Sequence, residues 1–180
     1  GQPLSFMADF HDGEPFAIAL LRMRPGKTRL LDLGTATGSV PLTMRIAGMQ
    51  ALGVDGLDNG KSGVITPSML RSNDHRSKFA WHIAPELVDC CDITYPFHVE
   101  DSSGQPIKFD YIISTDCFEH VVTNRVPALI ENVYQNLADD GFGIFDINSG
   151  HFEDLHQTVK PREWWREMFR GKFIIREDMS

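Results

Sequence analysis

The residues best suited to hold a ligand are Asp32, Gly34, Thr35, Ala36 and Gly38, in the run Leu30-Leu31-Asp32-Leu33-Gly34-Thr35-Ala36-Thr37-Gly38. An apolar stretch meets an acid, two glycines follow at close spacing, and Pro41 stands where a helix can begin. Proline is tolerated only in the first helical turn, so the spacing predicts a buried strand that breaks into a helix through a tight turn. Without a Cβ, such a turn lets backbone approach a ligand, and a nucleotide-like cofactor is the expected occupant. Asp55 follows about 20 residues beyond the glycine turn, where a carboxylate can accept hydrogen bonds from both hydroxyls of a ribose. Asp92 and Thr115-Asp116 close later strands. Acids at strand ends also serve turns and helix caps, and for Asp55 and Asp92 both readings stand.

Chemistry beyond binding needs a group that can take a proton, and His120, His151 and His156 are the candidates. All three lie downstream of strands expected to end at one face. His120 can equally cap the helix that follows its strand, and His151 and His156 can be plain loop residues. His11, His75, His82 and His98 have no comparable placement. In Arg162-Glu163-Trp164-Trp165, neighbouring tryptophans on a helix point about 100 degrees apart, so one of them is expected to be core. Trp165 aligns at helical spacing with Met168 and Phe169, while Arg162 is placed to bind an anionic group.

These residues need a scaffold, and the alternation of apolar runs supplies one. Strands are expected at Arg29 to Leu33, Ala51 to Val54, Leu87 to Cys91, Phe109 to Ser114, Gly143 to Ile147 and Phe173 to Ile175. Helices are expected at Phe16 to Met23, Val40 to Gly48, Val126 to Leu137 (capped by Gly141) and Pro161 to Phe169. Ser68 to Trp81 reads as a polar helix or irregular segment, and Asp58 to Gly63 and Val99 to Lys108 read as polar loops. Continuous rather than alternating apolar strands, separated by helices, indicate an α/β fold: an open, mostly parallel sheet with helices on both faces. In such a sheet ligands bind outside the carboxyl ends of the strands, which is where the acids fall.

Composition bounds the function. One domain over residues 1–180 is expected, since 180 residues with 42% hydrophobic content bury one full core. A formal charge of −8, from 17 basic and 25 acidic residues, argues against nucleic acid or anionic lipid as the main partner. Cys90, Cys91 and Cys117 form no C-x-x-C pair and leave an odd thiol, which fits a reducing cytoplasm. No apolar stretch reaches membrane-spanning length and no secretory pattern opens the chain, so a soluble cytoplasmic protein is expected, with homo-oligomerisation left open.

From about position 28 to 148 the chain resembles the class I S-adenosylmethionine-dependent methyltransferases, whose fold is Rossmann-like. The resemblance rests on Leu31 to Gly38, Gly53-Val54-Asp55-Gly56, Cys91-Asp92-Ile93-Thr94 and Phe109 to Val121 with its Glu119-His120-Val121, in the right order. Leu137 to Phe142 adds the loop before the fifth strand, and Ala36 replaces the family's middle glycine. The resemblance implies that Gly34, Thr35, Ala36 and Gly38 line the methionine and ribose part of S-adenosylmethionine, with Asp32 orienting the turn or accepting from the amino group. It further implies that Asp55 binds the ribose, Gly56 gives the ring backbone access, Asp92 accepts from the adenine amino group, Ile93 packs on the ring and Thr115 borders the methionine end. S-adenosylhomocysteine would be the product, and a small-molecule oxygen or nitrogen the acceptor. Because the chain stops soon after its sixth strand, a last strand is expected to be missing or shortened.

Three alternatives are weighed against that reading. Asp116-x-x-Glu119-His120, with His151 or His156, resembles the Glu-x-x-Glu-His arrangement of metal-dependent RNA 2′-O-methyltransferases. Glu-His at this place is also common in relatives that use no metal, and no metal ligand is assigned. A non-catalytic cofactor-binding subunit is the second. An NAD-dependent oxidoreductase is the third, disfavoured because a G-x-G-x-x-G fingerprint would need glycines where Ala36 and Ser39 stand.

Overall fold

The computed structural model describes residues 13–35, 38–55, 64–65, 87–150 and 156–175, with 13–17, 64–65 and 89–90 described for their backbone only. The expected segment Ser68 to Trp81, the loop Asp58 to Gly63, and Ala36, Gly56 and His151 lie outside these residues.

A five-stranded parallel sheet organises the chain. Strand β1 (Arg29–Leu33) runs down its centre, with β2 (Gln50–Asp55) and β4 (Val88–Cys90) on one side and β7 (Phe109–Thr115) and β8 (Leu137–Asp146) on the other. The order β4-β2-β1-β7-β8 means that the chain winds outward from the centre, then crosses back over β1 and winds the other way. The reversal between β1 and β7 opens a crevice at their carboxyl ends.

The leucines of β1 explain why this strand is central. Leu30, Leu31 and Leu33 are no more than 1% exposed, which requires cover on both faces. On one face Leu30, Ala51, Tyr111 and Ile113 pack against Leu20 of α1 (Gly13–Met23) and Val40 and Met44 of α2 (Ser39–Ile46). On the other, Leu31, Leu33, Val54 and Ile112 pack against α3 (Val126–Asn136) and α4 (Arg162–Arg170). Helix α3 turns Val126, Leu129, Ile130 and Val133 inward, the positions that the sequence spacing predicts. In α4, Trp165 and Phe169 are buried and Trp164 is half-buried, stacked edge-on against Trp165.

Three expectations give way. Gly141 does not cap α3: the helix ends at Asn136 and the chain passes directly into β8. Pairing with β7 captures Leu137 early, and β8 then advances five residues to Phe142 while β7 advances two, from Phe109 to Tyr111. Gly141 sits in that excursion, where a Cβ would meet the Leu137 side chain at 2.7 Å. Phe173 to Ile175 is not a strand; the amides of Lys172 and Phe173 both fold back onto the Phe169 carbonyl, and Ile174 is exposed. The polar stretch Val99 to Lys108 is a hairpin, β5 (His98–Glu100) against β6 (Pro106–Ile107), with β3 (Val64–Ile65) parallel to β5. Its turn is held by Asp101, whose Oδ1 accepts from the Ser103 amide and hydroxyl and from the Gln105 amide. Among the described residues no helix is long and apolar enough to cross a membrane.

Candidate functional site

The turn after β1 is built by glycine. Gly34 adopts φ +78°, and a Cβ there would fall on the Cys117 side chain. The amides of Gly34 and Thr35 both donate to the Val54 carbonyl, at 2.8 and 3.1 Å, so the turn is bound to β2. Gly53, mid-strand in β2, makes room for this: its Cβ would lie 2.7 Å from the Thr35 Cβ. Gly38, with φ +77°, begins α2, and its amide donates to the Thr35 carbonyl at 3.0 Å.

With the amides of Gly34, Thr35 and Gly38 spent on backbone, the side chains of Asp32 and Thr35 are the notable polar groups among the described residues of the turn. Asp32 is 2% exposed and Thr35 5%, and neither Asp32 Oδ2 nor Thr35 Oγ1 makes a hydrogen bond of good geometry. Burial pushes the Asp32 carboxyl up to about 7, the negative charge of Asp55 adds to the rise, and the nearby Thr35 hydroxyl offsets part of it. Asp55 itself is half-buried at the end of β2.

Beyond β4, Asp92 folds its own turn. Its Oδ1 accepts from the Thr94 amide at 2.9 Å and the Thr94 hydroxyl at 2.7 Å. Ile93 is 5% exposed and joins the core on the α3 face. Two amide side chains fasten this segment to α3: Asn132 Nδ2 donates to the carbonyls of Ile93 and Tyr95, and Asn136 Nδ2 to that of Phe97.

The turn after β7 differs in kind. Thr115 ends the strand half-buried, in register with Asp146 of β8. Asp116 takes φ +45° and donates its amide to the Asp146 carbonyl at 3.2 Å. Glu119 is fully buried in a single 3-10 turn, Phe118–His120, and neither carboxylate oxygen has a hydrogen bond of good geometry. Burial raises its pKa and Asp116 adds to that, while the backbone amides of Glu119 and Asn148 and the His120 ring offset part. His156 arrives from the far side of the described chain: its Nε2 lies 3.9 Å from Glu119 Oε1, its ring meets that of His120 edge-on at 4.9 Å, and its Nδ1 bonds the Gly150 carbonyl at 2.7 Å. Thr158, fully buried, pins that segment by donating its amide to the Glu119 carbonyl and its hydroxyl to the Val121 carbonyl. One ligand atom each from Glu119, His120 and His156 lie within 4.8 Å of one another.

Cys117 joins the two turns. Burial pushes its thiol up to about 12, a Ser114 hydrogen bond opposes this, and the charges of Asp55, Asp32 and Glu119 all raise it further. Asp146 is raised too, by burial and by Asp116. Among the described residues no lysine or arginine contributes to the electrostatics of Asp32, Cys117, Glu119 or Asp146. Among the described residues the side-chain charges acting on Asp32, Cys117 and Asp146 are therefore carboxylates, and the His120 ring opposes them at Glu119.

The structure thus brings Asp32, Gly34, Thr35, Gly38, Asp55 and Thr115 to the carboxyl ends of β1, β2 and β7, with Asp92 and Ile93 after β4 and His120 and His156 beside Glu119. Two participants escaped the sequence reading as site residues, Gly53 and Cys117, of which Gly53 carried a signal as a glycine inside a strand. Glu119 enters that reading only through the Asp116-x-x-Glu119-His120 metal alternative.

A family model described as a methyltransferase domain matches residues 11–177. No curated protein matches the chain. Similar solved structures include phosphoethanolamine N-methyltransferase 2 of Haemonchus contortus in complex with S-adenosyl-L-methionine (21% identity, TM-score 0.53, covering 88% of this chain and 36% of that one). An S-adenosylmethionine-dependent methyltransferase from Clostridium acetobutylicum is 21% identical, with a TM-score of 0.52 over 79% of this chain and 52% of that one. TehB from Haemophilus influenzae is 18% identical, with a TM-score of 0.52 over 87% of this chain and 49% of that one. The chain spans about half the length of these proteins or less. At such identities the structures establish a shared Rossmann-like fold, and the family match, which runs almost end to end, settles the rest: the chain belongs to the methyltransferase domain family.

Proposed function

We propose that the protein transfers a methyl group from S-adenosylmethionine to an oxygen or nitrogen of a small molecule. The observation that carries this reading is the sign of the crevice. Asp55 stands close enough to raise the proton affinity of the buried Asp32, and no described lysine or arginine acts on Asp32. A pyrophosphate would be repelled there, whereas a ligand carrying a sulfonium and an ammonium group would be held.

The buried, unpaired Asp32 Oδ2 and Thr35 Oγ1 fit such a ligand, because a buried polar atom without a partner costs about 1–3 kcal/mol until something bonds it. In this assignment Asp32 and Thr35 meet the amino-acid end, with Gly34, Ala36 and Gly38 shaping the turn. Asp55 takes the ribose hydroxyls with Gly56 beside it, Asp92 and Ile93 border the base, and Thr115 closes the methionine end. When bound, the donor supplies an activated methyl group, so the chain's own task is alignment and exclusion of water. The acceptor enters beside Glu119, His120 and His156, and where no metal occupies these side chains a histidine, His120, His156 or His151, receives its proton.

Thermal shift and calorimetry with S-adenosylmethionine, S-adenosylhomocysteine and NAD test the reading. The first two are expected to stabilise the chain, by about 2.7 kcal/mol at one hundred times the dissociation constant, and NAD to do nothing. A panel of small hydroxyl and amine compounds, read by mass for a gained methyl, tests transfer. Stabilisation by NAD alone would overturn the donor assignment; donor binding with no transfer to any acceptor would favour a binding subunit.

A further inference from the structure

We propose that Glu119, His120 and His156 form a binding site for a divalent ion of the zinc class, with coordination positions left open toward the methyl acceptor. Three observations carry it. The first is Glu119 itself: a carboxylate with no exposed surface and no well-made hydrogen bond to either oxygen. A charge is kept in such a place at a cost of several kcal/mol unless it meets a counter-charge or a metal. The second is convergence, since the two imidazoles come from segments 36 positions apart and their ligand atoms and that of Glu119 lie within 4.8 Å of one another. Ligands about 2.0–2.2 Å from a common ion stand about 3.3–3.6 Å apart in tetrahedral geometry, so the 3.9 Å between Glu119 Oε1 and His156 Nε2 needs a side-chain adjustment of a few tenths of an ångström, and His120 closes by rotation. The third is orientation. With Nδ1 of His156 donating to the Gly150 carbonyl, Nε2 carries the lone pair, the arrangement in which a histidine binds metal.

Two imidazoles and one carboxylate select zinc-class ions over magnesium or calcium, which prefer all-oxygen ligands. Three protein ligands leave the remaining positions for water or substrate. The Cys117 side chain, two residues before Glu119, stands where a Gly34 Cβ would fall, so the ion would lie close to the turn proposed to hold the donor. That second half of the inference rests on the methyl-transfer reading; metal binding does not. With an acceptor hydroxyl on the ion, its proton is released to water. The oxygen then forms the new bond to the methyl carbon as the carbon–sulfur bond breaks, leaving the donor sulfur a neutral thioether. In this scheme the histidines hold the ion rather than take the proton.

Titration of the full chain with Co²⁺, read by absorption and by calorimetry in the absence of any methyl donor, tests the site. One equivalent is expected, displaced by Zn²⁺ and unaffected by excess Mg²⁺. His120→Ala, at an exposed ring, and Glu119→Gln are each expected to weaken Co²⁺ binding at least tenfold while S-adenosylhomocysteine affinity stays unchanged. Equal Co²⁺ affinity in His120→Ala and the parent chain would overturn the site, as would displacement by Mg²⁺ or no binding at all. Added azide is expected to shift the Co²⁺ bands. Unshifted bands would overturn the open positions, and with them the role in acceptor binding.

Discussion

Two turns at the carboxyl ends of adjacent strands, one after β1 and one after β7, solve different problems with different means. The first is made of backbone: Gly34 and Gly38 in left-handed conformations, amides tied to Val54, and Gly53 hollowed to admit Thr35. The second is made of titratable side chains, with Glu119 buried beneath His120 and met by His156 from another segment. A turn that must bring backbone against a ligand constrains residue types locally. A cluster that must do chemistry can be assembled from anywhere the chain returns. In the proposed assignment the donor side is held by backbone at Gly34, Thr35 and Gly38, and the acceptor side through partners such as Thr158.

Breaking the first turn should cost most. Gly34→Val places a β-branched side chain at φ +78° and onto Cys117, and is expected to lose about 4 kcal/mol of stability, measured by urea unfolding. Adding Cys117→Gly should recover part of this; no recovery would mean that the two side chains do not share the space.

Next is the pH dependence set by Asp32. Folding raises its pKa from 3.8 to about 7, so between these values the folded chain keeps a proton that the unfolded chain has lost. Stability from this group is therefore complete below about pH 4 and declines as pH rises toward 7, by about 2–4 kcal/mol. Asp32→Asn should flatten that decline. The same shift predicts that a cationic ligand releases a proton on binding near pH 7, measurable by calorimetry in buffers of different ionisation enthalpy. An unaltered slope in Asp32→Asn would place the group outside the buried set.

Smallest, and confined to the ligand, is Asp55→Ala. It is expected to weaken S-adenosylmethionine binding by about 1.5–3 kcal/mol with the unfolding midpoint nearly unchanged. Unchanged affinity would remove Asp55 from the site and shift the weight of donor binding to the β1 turn alone.

The sheet was legible because β1, β2 and β7 are buried on both faces, and unbroken apolar runs such as Leu30–Leu33 and Tyr111–Ile113 admit few alternatives. Short polar strands were not. The β5–β6 hairpin hides in Asp101-Ser102-Ser103-Gly104, a turn that reads as loop because its order comes from one aspartate side chain. Gly141 misled because glycine after a helix suits a cap as well as a strand excursion, and only pairing with Phe109 decides between them. In the site, the glycine turn announced itself by spacing. The meeting of Glu119 with His156 is open in the sequence, which offers His151 or His156 equally, and only the fold brings His156 to Glu119.

The asparagines of α3 have a consequence for how the crevice empties. Because Asn132 and Asn136 stitch residues 93–97 to the helix, the wall carrying Asp92 and Ile93 travels as one piece with α3 and cannot swing out by itself. If this wall borders the base, as proposed, a spent cofactor is expected to leave tail or sugar first, and mutations that cut these stitches are expected to show up in the rate of departure before they show up in affinity.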